Sequence, residues 1–342
     1  MRHILEWFVA ATLCTLLQAA AIAGQPEPDS AFEFEDRPLQ EPLEHPEWFK
    51  HSFLDLQEDL KEAVAADKEG IIVYFGQRRC AYCKLLMTVN FGQQDTATYT
   101  QRNFDVIPID IWGVDEVIDI DGVTLTERDF ALREKTNFTP SLIFYDRMGA
   151  EALRLRGYYP PYKFRAALEY VADGHFRKES FGDFLERGSG ALAFDPGELN
   201  DEAFFSPAPY ALDRSRFPSE RPLAVFFEQG DCHACNVLHS QPLGEREISD
   251  LFKQFENVQL DIYADTPVIT PEGEMTSSRK WARKLGLFYT PSIIFFDVHG
   301  KEIIRVDSVV QFYRLRNILR YVAGGGYQYQ SNYQLWRLDS GF

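Results

Sequence analysis

Phe75-Gly76-Gln77-Arg78-Arg79-Cys80-Ala81-Tyr82-Cys83-Lys84 decides how this chain is read: two cysteines stand three residues apart directly after an apolar run. That run, Ile71-Ile72-Val73-Tyr74-Phe75, has the length and composition of a strand buried on both faces. Thr139-Pro140-Ser141 follows 59 residues after Cys80. The signature then returns as Phe227-Glu228-Gln229-Gly230-Asp231-Cys232-His233-Ala234-Cys235-Asn236, with Thr290-Pro291-Ser292 placed 58 residues after Cys232. One module is used twice.

Other positions keep the same register. At a constant shift of 151, Asp110 matches Asp261, Phe130 matches Trp281, Gly149 matches Gly300, Arg154 matches Arg305, and Tyr170-Val171 matches Tyr321-Val322. Within a copy the pattern predicts, in order, a helix from about Glu47 with Phe49, Phe53, Leu56, Leu60 and Val64 on its apolar face, then the Ile71–Phe75 strand. A helix opening at Cys80 and a strand over Phe104–Ile109 follow. Trp112–Val123 reads as an irregular excursion turning at Asp121-Gly122, and Thr126 with Asp129 has capping-box spacing for the next helix. Thr139-Pro140 leads into a strand, Asp146–Gly149 makes a hairpin turn, and Phe164–Val171 is a closing amphipathic helix. The expected fold is α/β: two tandem domains, each a central mixed sheet flanked by helices.

The cysteines carry the chemistry. A cysteine at the first turn of a helix meets free N–H groups and the positive end of the helix dipole, which favour the thiolate. Cys80 and Cys232 stand there. Cys83 and Cys235, one turn deeper, are placed to close a disulfide with them and to resolve a mixed disulfide with a partner. X-Pro bonds are those for which cis is accessible, so Thr139-Pro140 and Thr290-Pro291 are candidate client-binding positions whose backbone could pair with an extended strand. Glu228, four residues before Cys232, is a candidate proton-transfer group; Gly76 stands at the matching place. The fixed charges, Arg78 and Arg79 against Asp231 and Glu228, make Cys80 the more acidic thiol.

Both halves resemble the thioredoxin superfamily, and are most similar to exported bacterial thioredoxin-like proteins of the sulfur-oxidation (SoxW) type. The resemblance rests on the two ten-residue cysteine stretches, the excursions ending in Asp121-Gly122 and Glu272-Gly273, and each Thr-Pro-Ser followed by an aromatic strand and a Gly turn. It covers about Trp48 to Leu185 and Pro209 to the C-terminus, and implies thiol–disulfide exchange on periplasmic proteins with a cis-proline beside each site. The chain departs from that family where a buried Asp is expected six residues before the first cysteine: Tyr74 and Phe226 stand there.

Composition bounds the rest. The net charge of −17 makes nucleic acid a poor partner. Arg2-His3, the apolar run Val9–Ala23 and Ala21-Ile22-Ala23 before Gly24 read as a cleaved export signal, too short for a good membrane span. Of five cysteines only Cys14 lies outside the two pairs, and it goes with that signal. The expected organisation is signal 1–23, a flexible acidic and Pro-rich leader 24–46, a first domain 47–187, a linker 188–208 and a second domain 209–342. The expected setting is the periplasm, without stable membrane insertion after cleavage. Expected partners are proteins bearing disulfides or thiols and a membrane thiol electron donor; no cofactor is expected. The competing expectation is a copper or zinc site on Cys232, Cys235 and His239, since His239 lies one turn beyond Cys235.

Overall fold

The computed structural model describes residues 31–188 and 198–341; the expected signal, Cys14 and the start of the leader lie outside the described residues. In the first module β1 (Gly70–Gly76) is central and buried along its whole length. It pairs in parallel with β2 (Phe104–Asp110) on one side and antiparallel with β5 (Ser141–Asp146) on the other, and β6 (Glu151–Arg156) closes the edge. The second module repeats that order as β9 (Glu256–Asp261), β8 (Leu223–Glu228), β12 (Ser292–Phe296) and β13 (Glu302–Val306). The continuous apolar runs fill both faces of each sheet, giving two core clusters per module.

Helices cover those faces. The first module carries α1 (Leu56–Ala65), α2 (Ala81–Leu85), α3 (Gln94–Asn103), α4 (Glu127–Arg133), α5 (Pro161–Ala172) and α6 (Phe181–Gly188). The second carries α7 (His233–Ser240), α8 (Arg246–Phe252), α9 (Ser278–Lys284), α10 (Phe312–Ala323), α11 (Gly326–Tyr329) and α12 (Tyr333–Asp339). Thr126 caps α4 as its spacing implied: its Oγ1 accepts from the Asp129 N–H at 3.1 Å and donates to the Asp129 carboxylate at 2.8 Å. Gly149 and Gly300 turn the terminal hairpins at φ +79° and +84°, a left-handed geometry that favours glycine. Among the described residues no helix is long and apolar enough to cross a membrane.

Local chemistry moved several boundaries. The first helix begins at Leu56, not near Glu47, because Asp55 supplies the cap, accepting from the Gln57 and Glu58 N–H groups at 3.1 Å. Leu54 just before it has φ +63°, and Phe53 is fully exposed, so Phe53 belongs to no helix face. After Cys83 the helix widens into a π-turn over Leu86–Asn90. The excursion contains an ordered hairpin, β3 (Glu116–Ile118) against β4 (Thr124–Thr126), with Asp119 accepting from the Asp121 and Val123 N–H groups in its turn. The matching second-module hairpin, β10 (Pro267–Ile269) with β11 (Met275–Ser277), is extended by β7 (Tyr210–Ala211).

Two expectations based on polar composition fail. Residues 198–208 do not behave as linker: Phe204 and Phe205 pack on the second module's core, and the Ser206 N–H donates to the Asn257 carbonyl. The leader, over residues 31–46, keeps most of its polar residues exposed but is anchored at several points. Ala31 and Phe32 are buried, Phe34 and Leu43 pack on the first core, and Leu39 and Leu43 donate to the Arg79 and Arg78 carbonyls. Pro38, Pro42 and Pro46 favour an extended course over residues 31–46, and the few apolar side chains there find a groove that no single module contains.

That groove exists because the modules dock face to face with near two-fold reciprocity. Phe138, before the first Thr-Pro, is buried in a core cluster of the second module; Tyr289, before the second, is buried in one of the first. The Val309 N–H donates to the Tyr158 carbonyl at 3.0 Å, and Gly157 faces Ser308. Lys163 donates to the Phe288 carbonyl at 2.7 Å, while its counterpart at the 151 shift, Arg314, donates to the Thr139 carbonyl at 2.8 Å.

Candidate active site

Each cysteine pair is closed as a disulfide at the start of a helix, with Cα atoms 5.1 and 5.2 Å apart, an ordinary span. Cys80 is the N-cap residue of α2 and its Sγ accepts from the Cys83 N–H at 2.9 Å; Cys232 caps α7 in the same way, from Cys235 at 3.1 Å. These N–H groups, aimed at sulfur, stabilise a thiolate there once the disulfide opens. Burial separates the roles. Cys83 and Cys235 are fully enclosed, whereas Cys80 and Cys232 keep 5% and 7% exposure, so the outer sulfur of each pair is the one an incoming group meets.

The Thr-Pro turns come to these outer sulfurs. Both bonds, Thr139-Pro140 and Thr290-Pro291, are cis. The Cys80 sulfur lies 3.5 Å from the Thr139 carbonyl oxygen, and the Thr139 hydroxyl approaches it at 3.3 Å. In the second module the corresponding distances are 3.9 and 3.8 Å. The sequence reading missed what orients the threonine. Gln77 donates to the Thr139 hydroxyl at 2.8 Å and accepts from the Trp112 indole at 3.0 Å, and Gln229 accepts from the Thr290 hydroxyl at 3.1 Å. Glutamine three residues before the first cysteine in both copies was the available signal.

Glu228 is fully buried at the end of β8, where its carboxylate meets His239 Nε2 at 3.1 Å and accepts from Gln259 at 3.0 Å. His239 Nδ1 lies 2.9 Å from Glu202. Burial opposes protonation of His239, but bonds and charge from Glu228 and Glu202 outweigh it and hold the imidazole above its ordinary pKa. Both ring nitrogens are thus engaged with carboxylates, which removes His239 as a ligand shared with Cys232 and Cys235. Among the described residues no group of three or more His, Cys, Asp or Glu side chains is placed to hold a metal ion.

The first site has further neighbours that no local pattern encodes. The Tyr82 hydroxyl, between the two cysteines, donates to Asp36 of the leader at 2.8 Å and accepts from the Gln311 N–H at 2.9 Å. The Arg314 guanidinium stacks 3.3 Å from the Tyr82 ring centroid. Asp36 also accepts from the Tyr313 and Arg314 N–H groups, capping α10 from a distant part of the chain. At the second site, Phe32 meets the His233 ring edge-on at 5.2 Å.

The fold and these paired sites define a tandem thioredoxin-fold protein. The thioredoxin-like domain family matches residues 56–172 and 211–323, more than half of the chain, and the chain belongs to it. Among solved structures it is similar to a thioredoxin-fold protein from Helicobacter pylori (20% identity, 41% of this chain, 86% of that one, TM-score 0.34). It is also similar to a thioredoxin from Thermus thermophilus (25% identity, 34% and 83%, TM-score 0.27) and to a disulphide isomerase from Xylella fastidiosa Temecula1 (16%, 43% and 98%, TM-score 0.24). No curated protein matches the sequence.

Proposed function

We propose that the protein is an exported thiol–disulfide oxidoreductase that exchanges or reduces disulfides of periplasmic proteins, of the sulfur-oxidation (SoxW) type named above. One observation carries the chemistry: two disulfides, each at a helix start, each with an enclosed inner sulfur and an outer sulfur beside a Thr-Pro carbonyl. In the reduced protein the outer thiolate attacks a client disulfide, and the inner thiol displaces the client from the mixed disulfide. The Thr139 and Thr290 backbone is assigned to client pairing and Glu228 to proton transfer for Cys235. Export rests on the basic start, apolar run and small-residue site of residues 2–23, and electrons are assigned to a membrane thiol donor. The test is insulin reduction driven by dithiothreitol. The wild-type protein should accelerate it and the Cys80→Ser/Cys232→Ser double variant should not; equal rates refute the assignment.

A further inference from the structure

We propose that the first disulfide exchanges with a low-molecular-weight thiol bearing a carboxylate, held in a cationic cavity that the two modules build together. This rests on the oxidoreductase reading and names a substrate class for one of its sites.

The cavity has a volume of about 100 Å³, somewhat below the ~150 Å³ that admits a benzene ring. Cys80 and Thr139 form one wall; Arg79, Arg314, Arg316 and Arg337 line the rest, with Asp36 as the only carboxylate. Asp36 is already committed to the Tyr82 hydroxyl and two N–H groups of α10. Two buried guanidinium nitrogens here, Arg314 Nη1 and Arg337 Nε, have no acceptor. These two atoms have no open surface toward the cavity. What it presents is four guanidinium groups against one committed carboxylate, a net positive wall beside Cys80, and guanidinium groups match a planar carboxylate. While the modules are docked Arg314 holds the Thr139 carbonyl, so in this arrangement the cavity suits a small molecule and the client strand assigned to Thr139 has to wait for the modules to part. In the second module Asp231 stands where the first has Arg79, directly before the outer cysteine.

The exchange balances with two equivalents. One thiolate attacks the Cys80 sulfur, the Cys80–Cys83 bond breaks, and Cys83 leaves as a thiolate that takes a proton from solvent. A second thiolate attacks the small-molecule sulfur of the mixed disulfide, releasing the symmetrical small disulfide and the Cys80 thiolate. Two small thiols are oxidised and one protein disulfide is reduced.

The experiment treats the oxidised full chain with 3-mercaptopropionate, 2-mercaptoethanol or cysteamine, quenches by alkylation and maps both cysteine pairs by mass spectrometry. For each thiol the first-pair rate is divided by the second-pair rate, which cancels intrinsic nucleophilicity. The ratio should be about tenfold higher for the anionic thiol than for the cationic one, the scale of one charge-assisted hydrogen bond, and should fall with salt. Arg316→Gln and Arg337→Gln, made separately and together, should lower it for 3-mercaptopropionate while leaving the 2-mercaptoethanol ratio unchanged. Equal ratios for the three thiols overturn the proposal. So does an anionic preference that survives the double variant, or one seen only with an acidic peptide disulfide. Loss of insulin reduction with selectivity intact would refute the oxidoreductase reading instead.

Discussion

At the residue scale the two outer cysteines differ in the charges around them. Cys80 has Arg79 and the Arg314 guanidinium lining the same cavity, and Arg78 is drawn 3.6 Å from Asp110. Cys232 follows Asp231. Nearby cations favour a thiolate and anions oppose it, so iodoacetamide alkylation of single-pair variants against pH should show a lower midpoint at Cys80, and Arg314→Gln should raise it. A lower midpoint at Cys232 would reverse the order. His239 gives a separate pH signature. Its folded pKa is raised, so its contribution to stability is complete below the ordinary value of 6.5 and is lost as pH rises through the folded value. In His239→Gln, denaturant midpoints should lack that decline above about pH 6.5.

At the element scale the leader is a strap rather than a tail. Within a dozen residues it reaches His233 through Phe32 and Tyr82 through Asp36, the spacer residues of both cysteine pairs. Asp36 caps α10, whose own N-cap residue Gln311 makes no side-chain cap bond. Losing such a cap costs about 1–2 kcal/mol. Asp36→Ala should therefore lower stability by about that amount and speed alkylation of reduced Cys80 by a bulky maleimide several-fold; unchanged access would show that Asp36 does not hold the strap down. Elements of this kind mark where the sequence stops being readable. The strands, the cysteine helices, the Thr126 cap and the Gly149 turn follow from local pattern, so they stand where the residues place them. The start of α1 was misplaced because Phe49 and Phe53 mimic helical spacing while Asp55 and Leu54 set the boundary. The strap and residues 198–208 read as solvated because their polar composition hides a few apolar anchors. Those anchors have partners only after two modules have formed and met. The cysteines and Thr-Pro turns were legible as a site; Gln77 and Gln229 were legible in principle. Arg314 and Asp36 were not, lying 175 residues after Thr139 and 46 before Tyr82.

At the scale of the whole molecule, the face each module would offer to a client is the face it offers to its sister. Pairing of a client strand with either Thr-Pro backbone is therefore expected to need the docked pair to part, and one buried group is expected to make that parting depend on pH. Asp307, just after β13 and next to the Ser308–Val309 contact, is buried with Oδ1 unpartnered; Arg156 of the first module and Arg305 lie near, and Glu302 opposes them. Burial raises its carboxyl from 3.8 to about 6, and the two arginines recover only part of that. The folded pKa is raised, so the stabilising proton is fully in place below about 3.8 and is lost as pH rises through about 6. Ionised, the group is a buried charge that the two arginines only partly compensate, and it weakens the docked state. Parting that admits water to the carboxylate relieves that burial, so rising pH is expected to favour opening. Asp307→Asn removes the titration and keeps the shape. Hydrogen exchange at the Val309 amide, which crosses the interface to Tyr158, should be slower in Asp307→Asn than in wild type at pH 7.5 and equal at pH 4.5. An amide far from the interface, such as that of Val73 in the middle of β1, should exchange alike in both proteins at both pH values. If Val309 exchanges alike in the two proteins at pH 7.5, the carboxylate does not govern docking, which then rests on the reciprocal Phe138 and Tyr289 burial and the Lys163 and Arg314 bonds at every pH.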